Sequence, residues 1–250
     1  MLKRRDFLKF AAGSALLGVL PKEAEANSDV YLQIDEMACF EKIYSKLKSI
    51  QRVIGYGNFN IISFDEALKI AKRYKSIEAF SRDEIALMEK IFYMDATKLG
   101  FYGARTVDHI TYNINKKEAL KIKGTGHWLF KGKPKEDYER ILKDVGHSLK
   151  LTSGIRSVIK QTYLYYGKVK KLKGNLSKAS FSIAPPAYSY HTIRDFDVGR
   201  VDWGYSNFTA RFALTKEFHR LRHLDYISMR YGLHNRYGVR FEPWHIKVLV

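Results

Sequence analysis

The order of apolar and polar positions gives the chain two textures. From Asp35 to Val53 apolar residues recur at helical spacing, which predicts an amphipathic helix. Ser63 with Glu66, and Ser81 with Glu84, form capping-box pairs. In such a pair a hydroxyl before the helix and a carboxylate three residues on satisfy each other's orphan backbone N–H groups. They open predicted helices over "SFDEALKIAKRY" and "SRDEIALMEKIFYMDATKLG", the second stopping at Gly100. "TGHWLFKGKP" (125–134) reads as a short strand and turn, and "KEDYERILKDVG" (135–146) as a helix ended by Gly146. "SLKLTSG" (148–154) alternates as a strand does and leads into a helix from about Ile155 to Lys171.

Beyond residue 171 regular helical spacing gives way. "KASFSIAPPAYSYH" is strand-like, and Pro185-Pro186 breaks it just before His191. "DFDVGR" alternates, so Asp195 and Asp197 are expected on one face with Phe196 and Val198 on the other. Thr215 caps a helix opening "TKEFHRLRHLDYISMRYG", and a last strand is expected from about His245 to Val250. The predicted fold class is α+β, a mostly helical N-terminal region (27–147) followed by a region that mixes strands and helices (148–250). No internal repeat or low-complexity linker interrupts it.

Residues 1–26 read as an export signal rather than as part of the fold. Lys3, Arg4 and Arg5 give a positive start, "RRDFLK" resembles a twin-arginine signal, Phe10 to Leu20 is apolar, and Ala24-Glu25-Ala26 is an A-x-A cleavage pattern. Eleven apolar residues are too few for a bilayer, which needs roughly 20. The expected mature protein begins near Asn27 and is exported, periplasmic or otherwise, and soluble, with no membrane anchor after cleavage. Cys39 is the only cysteine, so no intramolecular disulfide is available, and it is expected to pack.

Losing the signal lowers the net charge from +18 to about +16. So basic a chain implies an anionic partner. There is no compact Arg-rich arm, and the densest run, "KVKKLKGNLSK" (168–178), reads as a solvated helix end. With the export signal, this favours an anionic cell wall over nucleic acid.

The residues suited to chemistry are Ser189, His191, Asp197, Glu242 and His245. Two histidines and one carboxylate with an open position are a common catalytic zinc shell, and a free glutamate beside them can activate water. Pro243 fixes one torsion between Glu242 and His245, and Trp244 is placed to shield the site. His219 and His223 share a helix face, but "HRLRH" lacks the glutamate of H-E-x-x-H. They read as surface histidines. His127 is read as structural, and Tyr163, Tyr165 and Tyr166 as helix packing, while Tyr188 and Tyr190 flank the site.

"TSGIRSVIKQ" (152–161), "YSYHTIRDFDVG" (188–199) and "EPWHIKV" (242–248), in this order, resemble the signature segments of the VanY-type D-alanyl-D-alanine carboxypeptidases. That family shares its metal-site fold with hedgehog and the lysostaphin-type endopeptidases. The resemblance covers about residues 148–250 and implies a small antiparallel-sheet zinc peptidase domain. It implies one Zn2+ held by His191, Asp197 and His245, with Glu242 as the base that moves a proton from water to the leaving amine. It further implies Arg156 as the holder of a substrate carboxylate or carbonyl oxygen, helped by Ser189, Gln161 and Tyr190. Two departures stand out. Arg194 occupies a position where the family usually has Gly, and Asp197 follows His191 by six residues rather than seven. Asp195 is therefore the reserve ligand, and Arg194 is expected at the rim. The expected partners are peptidoglycan stem peptides. Cleavage inside the stem or cross-bridge, and a wall-binding role with an idle zinc site, are the alternatives.

Overall fold

The computed structural model describes residues 29–249. The export signal and cleavage pattern expected at 1–26 lie outside the described residues.

Local chemistry sets most helix boundaries. α1 (Glu36–Ile54) buries Phe40, Ile43, Leu47 and Ile50, one stripe at three- and four-residue spacing. A short turn, α2 (Tyr56–Phe59), follows. α3 (Phe64–Arg73) and α4 (Arg82–Tyr93) both start with complete capping boxes, on Ser63 with Glu66 and Ser81 with Glu84. α4 stops seven residues short of Gly100, because Met94 is extended and Asp95 caps a separate 3-10 turn, Ala96–Leu99, which Gly100 ends in the left-handed conformation. A hairpin of β1 (Ala119–Lys121) and β2 (Trp128–Phe130) leads to α5 (Lys133–Val145).

The second half begins with β3 (Leu149–Ser153) and α6 (Val158–Lys171), the latter capped by Ser157. The strand expected next is instead helix α7 (Leu176–Ser180) followed by irregular chain. Asn175 caps it, accepting from Lys178 N–H at 2.8 Å, and Leu176 and Ala179 bury one face. That cap and the i, i+3 burial prevail over the alternating pattern. β4 (Phe196–Arg200), α8 (Lys216–Leu221), β5 (Ile227–Met229) and β6 (His245–Val248) complete the fold. The expected class, α+β with small antiparallel sheets after a helical region, is what the structure shows.

The main sheet has the order β3-β4-β6-β5, every pair antiparallel. One of its faces packs on α5 through Tyr138, Ile141, Leu151, Phe196 and Ile246. A second core joins the N-terminal helices to α6, where Phe40 stacks on Tyr166 with centroids 4.7 Å apart. Tyr165 and Tyr166 are fully buried there, as the packing reading of that cluster expects, and Cys39 packs partly buried against the same core. Among the described residues no helix is long and apolar enough to cross a membrane.

Candidate metal centre

Sheet register brings the site together. Asp197 on β4 and His245 on β6 are direct cross-strand partners, so their side chains leave the sheet on one face as neighbours. The third residue, His191, lies in a 3-10 turn (Tyr190–Thr192) and is tied to the β3–α6 connection. Arg156 N–H donates to His191 O at 3.3 Å, and Thr192 Oγ1 donates to Arg156 O at 2.9 Å. Gly154 lets the start of the same connection lie close against β2, since a Cβ there would sit 2.0 Å from the Trp128 carbonyl oxygen.

The hydrogen bonds fix which ring atoms face inward. His191 Nδ1 lies 2.9 Å from Gly154 O and donates to it, which leaves Nε2 with a lone pair 3.3 Å from Asp197 Oδ1. His245 Nε2 donates to Asp195 Oδ2 at 2.9 Å, which turns the lone pair of Nδ1 toward the same Asp197 oxygen at 3.4 Å. Three acceptors thus converge, and one ligand atom from each residue lies within 4.8 Å of the others. His191 Nε2 and Asp197 Oδ1 are buried and have no hydrogen-bond partner among the described residues. Facing lone pairs with no shared proton call for a cation, so these residues fit a metal ion.

The electrostatics agree. Burial, reinforced by the Arg156 guanidinium, lowers His191 to about 4 and keeps its ring neutral. Burial opposes ionisation of Asp197, yet the Arg156 guanidinium against it holds its carboxyl well below the usual carboxylate range. Two imidazoles and one ionised carboxylate are the donor set that zinc accepts.

Asp195 is not in the cluster. It precedes β4, its N–H bonds Tyr190 O, and its carboxylate sits behind His245, held by Arg230 and, at 3.3 Å, by Val248 N–H. The alternation that put Asp195 beside Asp197 fails because the strand begins only at Phe196.

Glu242 borders the same cleft, with Oε2 3.9 Å from His245 Nδ1. Burial pushes its carboxyl up to about 7, with His245 opposing and Asp197 adding to the shift. The cleft holds about 270 Å³ and is also lined by Ser189, Tyr190, Arg156 and Trp244. Arg156 is partly committed, since Nη2 meets Asp197 Oδ2 at 2.5 Å and Nε donates to Ser153 Oγ at 2.8 Å.

Two expected residues are elsewhere. Gln161 is fully buried and lies one layer behind the cleft, where it donates at 2.7 Å to the carbonyl oxygen of Ala184, a lining residue. Arg194 is exposed and does not line the cleft. His127, read as structural, does line it, whereas His219 and His223 are exposed on α8 and its end. Arg230 lies outside the three signature segments, and Lys160, although inside "TSGIRSVIKQ", holds a position to which the resemblance gives no role.

Residues 136–249 match the family model described as VanY, D-alanyl-D-alanine carboxypeptidase. Among solved structures, the LdcB LD-carboxypeptidase, reported with the molecular basis of peptidoglycan recognition, aligns with a TM-score of 0.42 at 23% identity. The alignment covers 52% of this chain and 62% of that one, so the chain spans less than two thirds of the LdcB length. VanYB in complex with D-alanine-D-alanine aligns with a TM-score of 0.40 at 20% identity, over 53% of this chain and 77% of that one. No curated protein matches the chain. The stretch that matches the VanY D-alanyl-D-alanine carboxypeptidase family, residues 136–249, contains all three facing ligand residues.

Proposed function

We propose that this protein is an exported zinc D-alanyl-D-alanine carboxypeptidase that removes the terminal D-alanine from peptidoglycan stem peptides. The observation that carries the reading is a buried cluster of His191, Asp197 and His245 with a fourth group, Glu242, bordering the same cleft outside the ligand set. A structural metal site has no use for such a carboxylate, whereas hydrolysis needs a base beside the ion.

His191 Nε2, Asp197 Oδ1 and His245 Nδ1 would hold one Zn2+. The chemistry such an ion supplies when bound is polarisation of the scissile carbonyl and acidification of water to a pKa of about 7. Glu242 takes the proton of the attacking water on its carboxylate. It then delivers that proton to the amine nitrogen as the C–N bond breaks, so the carboxylate is regenerated. A carboxyl raised by burial suits both halves of this exchange, since it accepts and returns a proton near neutrality. Arg156 Nη1 has no hydrogen bond to the described residues, so it remains available to a substrate oxygen. Ser189 and Tyr190 line the approach. The basic chain suits retention at an anionic wall, which concerns location rather than chemistry.

The test is mass spectrometry of defined muropeptides incubated with the mature protein, with Glu242→Ala and chelator-treated samples alongside. Loss of one alanine from a pentapeptide, abolished in both controls, is the expected result. Trimming of a tetrapeptide instead would make the enzyme an L,D-carboxypeptidase, and internal fragments an endopeptidase. No cleavage of any stem peptide with metal bound would leave a wall-binding role.

A further inference from the structure

Lys160 stands in the cleft in an unusual electrostatic position. Its backbone N–H donates to the cap hydroxyl of Ser157 at 3.2 Å, and its side chain runs along two rings. Nζ lies 5.7 Å from the centroid of Phe59 and 5.9 Å from that of Tyr163. Among the described residues no carboxylate lies within 4.0 Å of Nζ, and the charge that bears on it is the like charge of Arg156. Burial, and then Arg156, lowers its pKa to about 8. A half-buried ammonium beside a guanidinium, with no counter-ion, costs folding free energy unless something else uses it.

The cleft offers it nothing to pair with. Its lining carboxylates are Asp197 and Glu242, the first taken by the ligand cluster and Arg156, the second bordering His245. Arg156 is paired with Asp197 and keeps Nη1, and Arg240 lies 3.5 Å from Glu242, so of the cleft's Lys and Arg side chains Lys160 is the one with no protein carboxylate within 4.0 Å among the described residues. Packing alone does not require it, since an uncharged chain of equal length would cover Phe59 and Tyr163 as well.

We propose that Lys160 is a specificity-determining residue that receives a carboxylate of the substrate peptide. The inference rests on the proposed peptidase reading for the identity of that ligand. Two carboxylates qualify: the C-terminal one of the departing residue, and a side-chain one further up the stem peptide.

The experiment measures dissociation constants by calorimetry on zinc-loaded Glu242→Gln protein, with and without Lys160→Met or Lys160→Arg. KM and kcat are measured in parallel on the active protein. Three peptides are used: the parent, its C-terminal amide, and a version amidated on the upstream side chain. Lys160→Met is expected to weaken the parent roughly tenfold, the loss of one hydrogen bond to a charged group. The loss should appear in KM rather than kcat, and Lys160→Arg should restore most of it. The peptide amidated at the received carboxylate should show no further loss, which identifies the source. Equal losses on all three peptides, or none, would overturn the inference while leaving the peptidase reading intact. Binding that depends on Lys160 without cleavage of any stem peptide would uphold the inference and overturn that reading. No binding at all would overturn both.

Discussion

His245 Nε2 donates to Asp195 Oδ2 at 2.9 Å on the side of the ring opposite Asp197, so one aspartate orients the histidine while the other faces its lone pair. Arg230 clamps Asp195 from behind and stacks over Tyr190 with its guanidinium carbon 3.5 Å from the ring centroid. The clamp sets the tautomer of His245, and with it the atom presented to a metal. Asp195→Asn should therefore lower metal affinity by about 10–100-fold, the usual cost of losing such an outer partner. Competition against a chromophoric chelator measures this. An unchanged affinity would mean the carboxylate is only a packing element.

Converging acceptors are unfavourable until a cation occupies them, so metal and stability should be linked. Zinc added to chelated protein should raise the melting temperature to a plateau at one ion per chain. The gain should be about 2.7 kcal/mol at a hundred times the dissociation constant. His191→Ala should abolish the rise, because it removes one of the three inward-facing atoms. A rise that survives this change would place the ion elsewhere.

Glu242 borders the cluster without belonging to it. Glu242→Gln should cut kcat by about 10²–10⁴-fold, the typical contribution of a positioned acid–base group, and leave metal content at one ion. Metal analysis of the variant separates the two roles. Loss of the ion would make Glu242 a ligand.

The sequence disclosed what is local and hid what is not. The capping boxes on Ser63 and Ser81 were legible because each is closed within four residues. His191, Asp197 and His245 were legible as motif positions, yet their meeting depends on the β4–β6 register, which no local pattern encodes. Asp195 was misplaced by a strand period that does not reach it. Three-residue strands such as β1 and β5 are too short to show a period at all. The helix α7 had its signal in Asn175, but alternation masked it. Lys160 was one basic residue among 44 and gained meaning only from what surrounds it.

The N-terminal region also holds the ligand loop. Thr106 Oγ1 reaches both Ala187 O and Ser189 O at 3.1 Å, and Ala104 N–H donates to Tyr190 Oη at 3.0 Å. Arg105 lies over the Tyr188 ring, 5.1 Å from its centroid. Thr106→Val keeps the shape and removes the donor, so it should cost about 1 kcal/mol. Amide exchange should rise locally across 187–192. A chain reduced to 148–250 should not fold, because Phe40 and Phe59 leave Tyr166 and Tyr163 without their partners. A cooperative melt of that fragment would refute the dependence.

Lys160 gives the last prediction a definite sign. Its pKa falls from the ordinary 10.5 to about 8 in the fold, so between these values the unfolded chain binds the proton and the folded one does not. Stability rises with pH wherever the unfolded state holds more protons. The penalty for burying this ammonium is thus fully present below pH 8 and disappears as the pH climbs toward 10.5. Lys160→Met should stabilise the protein at pH 7 by roughly 1–2 kcal/mol, allowing for screening in an open cleft. The advantage over the native chain should shrink steadily between pH 8 and pH 10. Urea midpoints of both proteins at these pH values give the comparison. A variant that is more stable at pH 7 yet binds substrate more weakly would mark Lys160 as a residue kept for recognition at the expense of the fold. A constant difference across the range would mean that the charge is not what Lys160 contributes.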